Sequence, residues 1–220
     1  MQIESFSDIG EKFRAEMEEY GKIVSFDRES DPFDYDETLE NFFFILSGKI
    51  KIFQMNLKNG KEQTIYLMSR GDMYDTVVLL DGREHDLMCE VLEAGEAISV
   101  PVSRVREWMY RYPMFGEMVL KYVASQVRRV ESIASDLTLL DTRERLIKLL
   151  VENLERSRIT GMNILDNLSH AEIAKLIGTV RHVVDRHIKQ LKEEGILESG
   201  RKRLSLKNMQ KLKKKLEELG

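Results

Sequence analysis

LSHAEIAKLIGTVRHVVDRHIKQLKEEGIL, residues 168–197, decides the fold of this chain. It reads as two short helices joined by a tight turn. Ser169 stands three residues before Glu172, a capping-box spacing at a helix start. Ile173, Ala174, Leu176 and Ile177 give that helix a buried side. Gly178 lets the backbone turn, and Thr179 is placed to cap the second helix. At about 100° per residue, Val180, Val183, Val184, His187, Ile188 and Leu191 fall on one side of the second helix. Arg181, His182, Asp185, Arg186 and Lys189 fall on the other, in an arc of roughly 140°. A short helix with hydrogen-bonding side chains on its first turns suits a DNA major groove, where Arg matches both acceptors of a guanine edge. An ordinary amphipathic hairpin with a solvated face shows the same pattern. His187, on the apolar side, reads as a packed histidine.

The next residues narrow the choice. Ile196-Leu197-Glu198 is a short extended run, Ser199-Gly200 a turn signal, and Leu204-Ser205-Leu206 alternates like a returning strand. Arg201, Lys202 and Arg203 stand at the tip, placed to touch phosphates. A helix-turn-helix followed by a basic wing is far more specific than either part.

Charge divides the chain in the same way. Residues 169–220 carry 13 Lys and Arg against 7 Asp and Glu, while the remainder carries 21 against 31. A basic end on an acidic body fits a nucleic-acid-binding tail. The 220 residues suffice for one to two domains. No long uncharged apolar run reads as a membrane span, and MQIESFSDIG does not read as a signal peptide, so a cytoplasmic setting is expected. The single cysteine, Cys89, excludes an internal disulfide and a cluster held by four cysteines of one chain.

Ahead of the wing, Ile9, Phe13 and Met17 have helical spacing in residues 1–20. A series of short strands and turns follows: Ile23 to Phe26, Phe42 to Leu46, Lys49 to Phe53 with period two, the Asn59-Gly60 turn, Thr64 to Leu67, Gly71-Asp72, Val77 to Leu80, Asp81-Gly82, Leu87 to Leu92, and Ala97 to Val100. Strands at this spacing predict an antiparallel β-roll. Ser103 is placed to cap a short helix carrying Val105, Trp108 and Met109. Pro113 starts a long helix in which Leu120, Val123, Val127, Val130, Ala134 and Leu137 are spaced three and four apart, a heptad seam for self-pairing. Asp141 and Glu144 repeat the capping-box spacing, so a new helix from Arg145 to Leu154 follows a hinge near Leu140-Asp141. Met162 to Leu165 reads as a short strand. A last helix from about Asn208 carries Leu212, Leu216 and Leu219 on one side.

The expected fold class is α+β: a jelly-roll-like β-roll effector domain at 1–112, a dimerisation helix at 113–140, and a winged helix-turn-helix at 141–220. This order, with FFFILSGKIKIF at 42–53, the turn at Gly60, the Gly71-Asp72 turn, the hinge Asp141 and EIAKLIGTVRHVVDR at 172–186, resembles the Crp/Fnr transcription regulators over nearly the whole length. The resemblance implies a homodimer on a near-palindromic double-stranded DNA operator. An effector in the roll would alter helix pairing, and activation would add RNA polymerase as a partner. It implies base reading by Arg181 and Arg186. His182 and Asp185 stand at neighbouring base-reading positions where other members carry different residues. Asp185 has the alternative of an ion pair with Arg181 or Lys189. Ser169, His170 and Thr179 match phosphate-touching positions, and Lys189 joins the basic wing tip as a phosphate contact.

The effector positions depart from the cyclic-nucleotide binders. Those members place Gly-Glu after the Gly-Asp turn and then Arg-Ser; here the places read Asp75-Thr76 and about Glu84-His85-Asp86, with Arg83 the nearby basic group. On the long helix their Thr-Ser pair is replaced by Val130-Glu131. A cyclic phosphate needs a cation and donors, so cyclic AMP is not expected, and the single cysteine rules out the iron–sulfur subgroup. The carbon-monoxide sensors carry Cys and then His after Gly-Asp-Met; here Met73 is followed by Tyr74-Asp75-Thr76. The candidate pocket is Tyr74, Asp75, Thr76, Arg83, His85 and Cys89. No cofactor is expected, with a haem- or metal-binding sensor through His85 and Cys89 as the alternative. A small organic effector, or none, stays open. A cupin-like metal enzyme is the remote reading, because the roll holds only His85 where such a site needs several histidines. No catalytic residue and no metal site are expected.

Overall fold

The computed structural model describes residues 10–28, 30, 32–33, 39–84, 87–161, 163–199 and 204–217. They form two compact units, Met1–Gln54 with Tyr66–Val130, and Met55–Ile65 with Glu131–Gly220. The elements show antiparallel sheets, a long helix and a helix-turn-helix with a two-stranded wing, the expected α+β class.

Helix α1 (Glu11–Tyr20) precedes strands β1 (Lys22–Phe26), β2 (Asn41–Ile45), β3 (Lys49–Asn56), β4 (Lys61–Met68) and β5 (Met73–Tyr74), the tip of the β3–β4 hairpin from Met55 to Ile65 belonging to the second unit. Helix α2 (Thr76–Asp81) leads to β6 (Met88–Glu93) and β7 (Gly95–Pro101), then to α3 (Val102–Arg111) and the long α4 (Pro113–Leu139). One sheet has the order β1-β7-β2-β5 and the other β4-β3-β6. β2 is central to the first, with Phe44 opposite Ile98 of β7 and opposite Met73 of β5. Its side chains alternate between two cores, as a strand's must. Phe42 and Phe44 join Phe13, Trp108 and Phe115, while Phe43 and Ile45 join Phe26, Ile50, Ile52 and Val91. Each such fully buried aromatic is worth roughly 1.5–3 kcal/mol of apolar transfer.

Three local expectations are corrected here. Val77 to Leu80 is not a strand but lies in α2, because the Asp75 carboxylate accepts from Val77 N and Gly82 closes the helix at φ 71°. Ser103 does not cap α3; the helix begins one residue earlier after Pro101, with no side-chain cap, and buries Val102, Val105 and Trp108. β3 has period two in sequence but not in burial. Lys49 and Lys51 are 5% and 0% exposed, and their ammonium groups pair with Glu93 and Glu90 of β6.

In the second unit, α5 (Thr142–Thr160) starts at a capping box. The Asp141 carboxylate accepts from Arg143 N and Glu144 N, and Glu144 returns to Asp141 N. The helix is longer than the expected 145–154. It ends at Gly161 with φ 70°. Residues 164–167 are a turn rather than a strand; the Asn153 side chain accepts from Ile164 N and Leu165 N and so holds the chain in a non-extended path. Met162 lies outside the described residues. Helices α6 (His170–Leu176) and α7 (Arg181–Glu193), strands β8 (Leu197–Ser199) and β9 (Leu204–Leu206), and α8 (Met209–Glu217) complete the unit. Leu197 pairs with Leu206 in the wing. Leu212 of α8 is fully buried. Ile9, Leu219 and the tip 200–203 lie outside the described residues.

Candidate nucleic-acid interface and ligand pocket

The helix-turn-helix is built by its caps. The Ser169 hydroxyl accepts from Glu172 N at 3.1 Å and opens α6. The reciprocal bond of a capping box is replaced, since the Glu172 carboxylate takes Lys175 at 3.0 Å. Ile173 and Ala174 are buried. Gly178 has φ 65°, so the left-handed turn favours glycine; a Cβ there would also meet the side-chain ends of Leu137 at 2.5 Å and Gln63 at 2.9 Å, which would have to move aside. Thr179 is not the cap of α7. Its amide bonds Ala174 O at 2.9 Å, and the cap position falls to Val180, which supplies no side-chain oxygen. Val180 is correspondingly not on the buried side but 53% exposed.

Helix α7 seats itself through Val184, His187, Ile188 and Leu191. His187 is buried, with Nε2 2.9 Å from Thr142 Oγ1. Arg181, His182, Asp185, Arg186 and Lys189 all face solvent together. The Asp185 carboxylate reaches two neighbours, Arg181 Nε at 3.6 Å and His170 Nδ1 at 2.5 Å. Lys189 turns instead to Glu193 at 3.9 Å. Ser169 is exposed and Thr179 half-buried. Arg201, Lys202 and Arg203, expected at the wing tip, lie outside the described residues. The end of α7 is anchored at Glu194, which pairs with Arg143 and with Lys215 at 3.0 Å. Burial opposes its charge, but those two cations outweigh it and hold the carboxyl below the usual range.

Along α4, Leu120, Val127, Val130 and Leu137 are 56%, 52%, 44% and 40% exposed, Ala134 is exposed and Val123 half-buried. An apolar seam of four large side chains open to solvent is uncommon on a helix that has no partner.

A pocket in the first unit, with an empty volume of about 340 Å³, is lined by Tyr74, Asp75 and Thr76, as expected, and by Tyr66, Tyr122, Gln126, Ile52, Met68, Met73, Val77 and Leu87. The expected Arg83 is exposed and Cys89 packs against the β3–β6 side of the core; neither lines it. His85 and Asp86 lie outside the described residues. Asp75 is already bound to Val77 N. The Tyr122 hydroxyl accepts from Met73 N at 3.2 Å and lies 3.3 Å from Asp72 Oδ1. Burial pushes the Tyr66 phenol above its ordinary range, against the nearby Arg129 charge. Tyr66 comes from β4, and Tyr122 and Gln126 come from one face of α4, far along the chain, and no local motif marks them. Among the described residues no three acidic, His or Cys side chains gather as a metal site, and no helix is long and apolar enough to cross a membrane.

Residues 23–112 match the cyclic nucleotide-binding domain family and residues 144–215 the Crp-like helix-turn-helix domain. A CRP-like cAMP-activated global transcriptional regulator of Mycobacterium tuberculosis is 25% identical over 175 residues, 78% of each chain. Among solved structures, FixK2 from Bradyrhizobium japonicum matches with TM-score 0.76 and 22% identity, covering 88% of this chain and 96% of that one. A CooA mutant from Carboxydothermus hydrogenoformans matches with TM-score 0.78 and 20% identity, covering 98% and 96%. At these identities the two structures speak for the fold.

Proposed function

From the premise that the chain belongs to the Crp/Fnr family, in which a cyclic-nucleotide-binding-type domain and a Crp-like helix-turn-helix share one chain, we propose a homodimeric transcription regulator that reads a near-palindromic operator and catalyses no reaction. The carrying observation is the face of α7. Arg181, His182, Asp185, Arg186 and Lys189 stand exposed at its start while Val184, His187, Ile188 and Leu191 on the opposite face are buried. Arg181 and Arg186 are the base readers, and Ser169, His170, Thr179 and Lys189 hold phosphates. The exposed seam of α4 pairs two copies and sets half-sites about one helical turn apart. Domain limits of 1–112, 113–140 and 141–220 follow from this reading.

Cyclic AMP is not the effector we assign. Among the described residues the pocket lining holds a carboxylate and no Lys or Arg, with Arg129 only near Tyr66, whereas a cyclic phosphate calls for charge-assisted donors. Haem is not supported either, since Cys89 does not line the pocket. A neutral, largely apolar effector, or regulation without one, fits the tyrosine-rich lining. The test is in vitro selection of duplexes by the purified chain with no ligand added, followed by binding at several salt concentrations. A selected near-palindrome and a steep salt slope are expected. Salt-insensitive binding would sink the proposal, and no selection in the absence of ligand would sink regulation without an effector. Adding cyclic AMP should leave the affinity unchanged.

A further inference from the structure

Asp185 occupies an unusual place on the DNA-facing side of α7. It is the only acidic residue among the five exposed side chains just described, on a surface meant for a polyanion. A free carboxylate there would accept from a cytosine amino group. This one is already engaged at both oxygens. Oδ1 is bound to His170 Nδ1, from the first turn of α6, and Oδ2 faces Arg181 Nε at 3.6 Å, from the first turn of α7. The carboxylate therefore links the two helices of the motif at their DNA-facing ends.

The ion pair at Nε matters for what Arg181 has left. A guanidinium carries five donors in a fixed fork. With Nε facing the carboxylate, the terminal nitrogens remain for the O6 and N7 acceptors of one guanine. Arg181 is otherwise 74% exposed on its side chain, and Asp185 is the ion-pair partner the structure gives it. Ordering a long side chain before binding lowers the entropy lost at the interface.

The geometry points to Asp185 as a positioning residue that presets Arg181 for its base, with His170 anchoring the carboxylate from α6, and not as a base reader itself. This rests on the DNA-reading assignment above and deepens it. It carries a cost with a sign of its own, because a carboxylate near phosphates weakens binding to every sequence alike.

The experiment is selection of duplexes from a random pool by the full-length native chain, Asp185→Asn, Arg181→Ala and the double variant, with binding to a random duplex measured alongside. Asp185→Asn is expected to lower discrimination by roughly 3–10-fold, part of what a bidentate contact supplies, at the same base pair that Arg181→Ala relaxes. Binding to random duplex should tighten by roughly 2–5-fold at low salt as the repulsion goes. The double variant should discriminate no worse than Arg181→Ala, since the two act as one unit. Relaxation at a different base pair would make Asp185 a base reader and overturn the assignment. So would unchanged discrimination. If Asp185→Asn melts early, His170→Asn serves instead, with relaxation expected at the Arg181 base pair and unchanged discrimination counting against it. A native chain whose binding to random duplex does not weaken with salt overturns the DNA reading itself, and this assignment with it.

Discussion

The Lys175 ammonium of α6 lies 2.9 Å from the carboxylate of Glu62, at the start of β4. Gln63, the next residue, donates to Leu176 O at 3.3 Å and abuts the Gly178 turn. The hairpin at 55–65 and the first helix of the helix-turn-helix thus share a polar contact at the place where the motif turns. Burial works against the Lys175 charge, yet hydrogen bonds to Glu62 and Glu172 outweigh it and hold the lysine above its ordinary range. A group whose folded pKa is raised contributes fully below its unfolded pKa and loses that contribution only as pH rises through the folded one. The pair should therefore persist through mildly alkaline solution, up to about pH 10. Glu62→Gln should lower stability by about 1 kcal/mol, read as a shift of the urea midpoint. A midpoint unmoved by the substitution would show the pair to be a surface ornament.

Glu16 of α1 is the acid-sensitive counterpart. Its carboxylate accepts from Tyr112 at 2.6 Å, Trp108 Nε1 at 2.6 Å and Arg111 at 2.9 Å, and the Tyr112 bond leads in holding its pKa below the usual range. A depressed carboxyl contributes stability above its unfolded pKa and loses it as pH falls through the folded value. Acidification below about pH 4 should loosen α1. Trp108, the only tryptophan of the chain and fully buried, reports this by its fluorescence. Glu16→Gln should flatten the acid transition; an unchanged transition would place the acid-sensitive group elsewhere.

The parts of the fold that were legible in the sequence are those whose determinants sit close together in the chain. The helix start at Asp141 and the start of α6 at Ser169 are side-chain caps spanning three residues. The α4 seam is a repeat within one helix. The errors have a different origin. Val77 to Leu80 has strand composition, and only the flanking Asp75 and Gly82 make it α2. Lys49 and Lys51 look like a solvated face because the Glu93 and Glu90 partners belong to another strand. The pocket mixes Tyr66 of β4 and Tyr74 of β5 with Tyr122 of α4, so its tyrosine-rich character is invisible in any window of sequence.

Val127 is half exposed on the α4 seam, and in a paired helix it would face its own copy. Val127→Glu would set two carboxylates against each other in an apolar seam, a cost of several kcal/mol, or on the order of 100-fold in the dimer constant. Sedimentation should show monomer at concentrations where the native chain is dimeric, and operator affinity should fall with it. A variant that stays dimeric would move the interface off this seam.

The base reading and phosphate holding proposed for α7 separate by the kind of loss each would produce. Arg181→Ala should cost roughly 1–3 kcal/mol on the operator and relax preference at one base pair. Lys189, 79% exposed on its side chain and paired only weakly with Glu193, should act differently. Lys189→Ala should weaken specific and random duplexes alike and lower the salt slope by about 1. Titrations of both variants at a series of salt concentrations make the distinction. If Arg181→Ala weakens all duplexes equally, Arg181 is a phosphate contact. The recognition helix is then set deeper or shallower in the groove than its arginines suggest, and the half-site must be read by Arg186 and His182.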